Sequence, residues 1–235
     1  MEYKIVIMKN GIKFLMLLIG ILVFQNAGAQ NKANEVSELV NQILKAREAG
    51  NSLLQKYLWT SRTEVLKSKE ILNIMIEKNQ YDAQGLLIQK VLNEQDARMP
   101  KAFLIREIAE NEKENMEKFL YGLRDFLKKY SLKETEQIRR FIEAASWQVV
   151  EATHEFVFSG RNVEEEGDEL IWTIDDIYYS TSKIEVSTTF LGDEVHFTAT
   201  FNRLKDGLNY MAYGEAHIPS KNITLQVQNY DYLME

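Results

Sequence analysis

The sequence predicts an α+β fold: a curved antiparallel β-sheet, half-barrel-like, packed against an N-terminal helix and a helical insert. Three observations carry this expectation. Apolar residues recur at helical spacing over residues 34–54 and again over 107–145. They alternate at period two over 57–92 and over 147–230. The alternating segments are joined by short polar turns. One apolar and one polar face with short connections is the pattern of an antiparallel sheet. Its apolar face needs a cover, and the helices supply one.

The elements follow in order. Val36, Leu39, Val40, Ile43 and Leu44 make one stripe of an amphipathic helix, and Gly50 falls near its end. In "YLWTSRTEV", Tyr57, Trp59, Ser61, Thr63 and Val65 share one strand face, and Leu58, Thr60, Arg62 and Glu64 the other. "KEILNIMIEKN" and "QYDAQGLLIQKVL" continue as a three-stranded meander. In the helical insert, Met116, Phe119, Leu120, Leu123, Phe126, Leu127 and Tyr130 form a stripe. Ser131 and Glu134 have capping-box spacing for a further helix carrying Leu132, Ile138, Phe141, Ile142 and Ala145. From Trp147 onward, "EFVFSG", "ELIWTID", "KIEVSTTF", "VHFTATF", "LNYMAYGEA" and "ITLQVQN" read as strands. Val195, Phe197, Ala199 and Phe201 alternate there with His196, Thr198 and Thr200.

Residues 1–29 have the form of an export signal. Lys4, Lys9 and Lys13 precede the apolar run Phe14–Phe24, and Ala27 and Ala29 suit a cleavage site after Ala29. The run falls short of the roughly 20 residues of a membrane span. Residues 30–235 are then expected to form one domain, in the periplasm or secreted, soluble after cleavage. Met8 offers an alternative start with a tighter basic region. The chain has no cysteine, hence no disulfide. It carries 28 basic and 35 acidic side chains, and loss of the signal removes three of those lysines against one glutamate. Such bulk charge repels nucleic acid, and no basic stripe offsets it.

The chemistry-bearing motifs are mostly missing. His154, His196 and His217 are the only histidines and have no metal-ligand spacing. "VEEEGDE", Val163–Glu169, lacks the calcium-loop pattern and reads as a solvated turn. No nucleophile elbow, Walker A or dinucleotide fingerprint occurs. The expectation is no enzyme, no cofactor and no metal.

"YLWTSRTEV" and "YDAQG", then "REIAENEKENMEKFL", Gly167–Asp168, "LKDGLNYMAYGEAHI" and "ITLQVQNYDY" resemble, in order, an uncharacterised family of exported bacterial proteins. The resemblance spans residues 57 to 232, and no catalytic residues come with it. The Ala-Gln junction looks like those of Bacteroidota export signals. The order of helix, meander, helical insert and long antiparallel run is similar to LolA-like periplasmic lipoprotein carriers. That similarity implies a binding protein for a hydrophobic or amphipathic, lipid-like molecule held between sheet and helices. Trp59, Phe119, Phe126, Trp172, Phe197 and Phe201 are the candidate apolar wall, and Arg62 the candidate head-group partner. The alternative is a structural or protein-interaction domain of the cell envelope, with those side chains filling its core and an envelope protein as partner.

N-terminal sequencing of exported protein is expected to start near Gln30. Recovery of intact Met1 or Met8 in a membrane fraction would reject the export signal.

Overall fold

The computed structural model describes residues 36–96, 115–116, 118–132 and 134–234. The expected signal segment, and the expected start of the helical insert at residue 107, lie outside the described residues. The chain divides into two compact units, Met1–Gln42 and Ile43–Glu235. In the first, residues 36–42 are helical, with Gln42 Nε2 donating to Glu38 Oε1 at 2.7 Å. The second holds everything that follows, beginning with helix α1, residues 43–54.

Ten strands form one antiparallel, curved and unclosed sheet, as the alternation predicts. They are β1 Tyr57–Lys67, β2 Glu70–Tyr81, β3 Leu87–Asp96, β4 Ser146–Val150, β5 Glu155–Arg161, β6 Glu169–Asp175, β7 Thr181–Phe190, β8 Asp193–Arg203, β9 Asn209–Ile218 and β10 Ile223–Met234. Their spatial order is β3-β2-β1-β10-β9-β8-β7-β6-β5-β4. Two meanders are thus zipped together where β10 pairs with β1. The segment between β3 and β4 leaves one edge of the sheet and re-enters at the other. The described part of that segment carries α2 (residues 118–127), a 3-10 turn Lys128–Ser131, and α3 Thr135–Ala144.

Register fixes which side chains share a face. One row runs Phe158, Trp172, Ile184, Ala199, Gly214, Val227, Thr63, Met75 across eight strands. Its β5–β8 half is sealed: Phe158, Trp172, Ile184 and Ala199 are all buried. The Thr63 and Met75 end is half-exposed. α3 seats on the sealed half. A methyl at Gly160 would lie 2.7 Å from Phe141 Cε2, so glycine is what lets the helix approach β5. α2 brings Phe119 and Phe126 onto Phe190 of β7, with ring centroids 5.4 and 5.2 Å apart.

Two local expectations change. α3 does have a capping box, but Glu134 and Gln137 make it. Ser131 is unavailable because its Oγ bonds the Lys128 carbonyl at 2.7 Å, closing the 3-10 turn. Second, the acidic turn between β5 and β6 is not wholly solvated. Asp168 is 1% exposed and accepts N–H bonds from Val163, Glu164 and Glu165 at 2.6, 2.9 and 2.9 Å. Tyr130, at the end of the α2 segment, donates its hydroxyl to the same carboxylate at 2.8 Å and lies 3.0 Å from Thr188 Oγ1.

Burial works against the Asp168 charge, but the backbone N–H groups and the Tyr130 hydroxyl outweigh it and hold its pKa below the ordinary range. The carboxylate therefore stabilises the fold above its unfolded pKa of about 3.9, and that contribution is lost as pH falls through the lower folded value. Asp168→Ala strands several buried donors and is expected to cost toward the upper end of about 1–3 kcal/mol at neutral pH. In urea melts the gap between wild type and variant should narrow below about pH 4. A gap that stays constant into acid would show that the Asp168 charge contributes nothing.

Candidate functional site

The structure divides the candidate apolar wall into two populations. Trp172 is 2% exposed, packs between Phe141 and Phe158 at 6.1 and 6.2 Å, and donates its indole N–H to Thr181 Oγ1 at 3.0 Å. Phe119 and Phe126 are half-buried on Phe190. Lys221 and Lys129 lie over their rings, 5.2 and 5.0 Å from the centroids. Phe197 and Phe201 are half-buried on β8, opposite Ala216 and Met211. All five thus belong to α2 or to the β5–β8 half of the sheet, and Trp172 is core.

Trp59 lies elsewhere. It is 8% exposed on β1 and stacks on Tyr232 of β10, centroids 5.8 Å apart and planes 4° from parallel. Tyr81 at the end of β2 approaches Trp59 to 5.9 Å, and Tyr210 approaches Tyr232 to 4.2 Å. Tyr57 meets Tyr232 edge-on at 6.1 Å and gives its hydroxyl to Asp206 at 2.5 Å. Burial first, then the neighbouring Tyr210 and Tyr81, push the Tyr232 hydroxyl pKa well up, so it stays protonated. Beside this cluster the sheet face is polar. Asn79 is 1% exposed, donates to Ser61 Oγ at 2.8 Å and accepts from Gln89 at 3.0 Å.

A cleft of about 350 Å³ opens at this end, lined by Arg47, Asn51, Leu54, Gln55 and Tyr81. The lining follows from helix geometry. Arg47, Asn51 and Gln55 are spaced i, i+4, i+8, and Leu54 sits at i+7, so α1 and the residue after it present all four along one face. That row continues from buried Ile43. Arg47 Nη2 donates to the Ser131 carbonyl at 2.6 Å, and Nη1 to the Leu132 carbonyl. Leu132 carries φ of 45°, and the turn it makes leaves both carbonyls facing Arg47.

Arg62 is on the opposite face of the sheet. Its row there is Ile76, Arg62, Gln228, Tyr213, Thr200, Lys183. The guanidinium bonds Glu64 Oε1 along its own strand, the Nε contact being 2.8 Å. Two strands away, Glu215 accepts from Tyr213 at 2.5 Å and from Gln226 at 2.8 Å. His196 and His217 stand opposite each other on β8 and β9, beside Glu194 and Thr224, and His154 lies apart beside Asp176. Among the described residues no three His, Asp or Glu side chains are grouped to hold a metal ion. Sequence reasoning missed Arg47 and the tyrosines. A cation continuing the apolar row of an amphipathic helix was the available signal for Arg47. The tyrosines gave none, being spread from Tyr57 to Tyr232.

Trp172→Ala is expected to destabilise the protein by about 3–5 kcal/mol, the usual cost of emptying a packed aromatic site. Arg62→Ala should cost less than about 1 kcal/mol, as a part-exposed ion pair does. Chemical denaturation of the two variants checks both. A Trp172→Ala protein as stable as wild type would place Trp172 outside the packed core.

No protein-family model matches the chain, and no curated protein matches it. Among solved structures it is similar to a DUF1329 family protein from Desulfovibrio piger, at 4% identity and a TM-score of 0.40, covering 85% of this chain and 93% of that one. It is also similar to a provisionally named outer membrane lipoprotein-sorting protein domain from Vibrio parahaemolyticus, at 10% identity and a TM-score of 0.42, with the same coverages of 85% and 93%. Among the described residues no helix is long and apolar enough to cross a membrane.

Proposed function

We propose that this chain is an exported, non-enzymatic binding protein that takes an amphipathic, lipid-like small molecule at the cleft between α1 and the end of β2. One observation carries the reading: the cleft lining is itself amphipathic. Leu54 and the Tyr81 ring offer apolar contact, while Arg47, Asn51 and Gln55 offer polar atoms. Its volume of about 350 Å³ falls at the small end of ligand pockets, which run about 300–1,000 Å³. Each methylene buried there contributes about 0.8 kcal/mol. The reading keeps the ligand class expected from sequence and moves its place. Trp59 supports the wall from behind Tyr81, and Trp172 belongs to the scaffold.

A second reading has its own observation. The rings of Phe119, Phe126 and Phe190, and those of Phe141, Phe158 and Trp172, already satisfy one another. A structural or partner-binding envelope domain would need no more than that filled core.

The two readings separate on uptake. Native mass spectrometry of protein from its native host should find a copurified lipid, or titration with a fluorescent fatty acyl probe should saturate at one site. Tyr81→Ala is expected to weaken that uptake at least tenfold while the melting temperature stays within a few degrees of wild type. No copurified lipid and no saturable uptake would leave the structural reading.

A further inference from the structure

The cleft contains a cation that no carboxylate among the described residues neutralises, and this bears on the polar end of the ligand. Arg47 is half-buried, and its partners among the described residues are two carbonyl oxygens, of Ser131 and Leu132. Both are neutral acceptors. None of the five lining residues is acidic. The contrast with other cations of the fold is direct: Arg62 lies against Glu64, Lys129 against Glu165 and Lys221 against Asp193. Arg62 finds its carboxylate on its own strand, and Lys129 and Lys221 find theirs on distant segments brought together by the fold. Arg47 is held instead by the end of the 3-10 turn, whose carbonyls orient the guanidinium but supply only a fraction of a charge.

A guanidinium has five N–H donors in a planar fork, and each carbonyl takes one. The remaining donors stay available to a planar or tetrahedral oxyanion, which the fork fits in bidentate fashion. Asn51 and Gln55, one and two turns further along the same face, add neutral amide donors. Burial lowers the pKa of Arg47, but an arginine keeps its charge at any physiological pH. The cost of partly desolvating that charge is recovered when an anion arrives. The chain as a whole is acidic, with a formal charge of −7, so its overall field does not attract an anion. The attraction has to be local.

We infer that the polar end of the ligand is an anionic head group, a phosphate, sulfate or carboxylate, held by the free donors of Arg47 with Asn51 and Gln55 beside it. This rests on the cleft being the amphiphile site. Its apolar part then belongs at Leu54 and Tyr81. A free oxyanion has the same chemistry as a head group, and the two sources differ in whether an alkyl chain adds affinity.

The test compares three probes below their critical micelle concentrations by calorimetry: octyl phosphate, the neutral octyl glucoside, and inorganic phosphate. Octyl phosphate is expected to bind at least tenfold more tightly than octyl glucoside at low salt. That advantage should shrink as sodium chloride rises to 0.5 M, on the order of the salt that screens a partly exposed charge. Arg47→Gln should abolish the advantage, so that the variant binds octyl phosphate no more tightly than it binds octyl glucoside. Arg47→Lys, which keeps the charge and loses the fork, should retain part of it. The salt titration needs no variant, so it decides the matter even if Arg47→Gln fails to fold. Equal, salt-independent binding of the two octyl probes would overturn the anionic head group while leaving the cleft as an amphiphile site. No binding of either octyl probe would overturn the cleft itself. Inorganic phosphate binding as tightly as octyl phosphate would keep Arg47 as an anion site and overturn the lipid-like ligand.

Discussion

An open sheet with one apolar face has to be covered, and in this protein the cover is held down by a buried carboxylate. Asp168 gathers three backbone N–H groups of its own turn and the hydroxyl of Tyr130. The turn is thereby closed on itself, and the end of the α2 segment is tied to the β6 and β7 side of the sheet. From that point the rest is geometry. Phe126 and Phe119 reach Phe190 about one and three turns back along the segment. The chain then reverses through Leu132 into α3, which lies close on Gly160. A charge buried this way is tolerable because its hydrogen bonds are made, and costly once one is removed.

Among the described residues the two halves of this sheet face differ in character, and the proposed site lies at the second. The contacts of α2 and α3 fall over β5 to β8. There the aromatic side chains satisfy each other and leave a packed core. Over β1, β2 and β10 the same face turns polar and tyrosine-rich, with Ser61, Asn79 and Gln89 bonded together beside Trp59 and Tyr232. α1 meets this end through polar side chains, Arg47 and Asn51, with Leu54 beside them. A cleft persists where the two surfaces differ in character.

The strands were legible because a half-buried sheet writes its two faces into alternate residues. Val195 to Phe201 shows it, and so does Tyr57 to Val65. The helical insert was legible from the spacing of Phe119, Leu123, Phe126 and Tyr130. What escaped sequence reading depends on pairings distant along the chain. Trp59 finds its stacking partner 173 residues later, at Tyr232. Asp168 looked like one more charge in an acidic run, because only the folded turn shows which carboxylate points inward. Arg62 and Glu64 were rightly on the face away from Trp59, but whether that face was covered could not be read from alternation. Arg47 carries no motif, and its role is set by two carbonyls more than 80 residues away.

The central claim is that the aromatic core is filled and that binding belongs to the α1 cleft. Two-dimensional NMR on isotope-labelled protein tests it most directly, with the Arg47 Nε–H and the Trp59 and Trp172 indole N–H resonances followed as octyl phosphate is added. The account predicts saturable shifts at Arg47, with a smaller one at Trp59 relayed through Tyr81, while Trp172 stays still. Shifts centred on Trp172, with Arg47 unmoved, would place the ligand between the sheet and the helices that cover it and contradict the account.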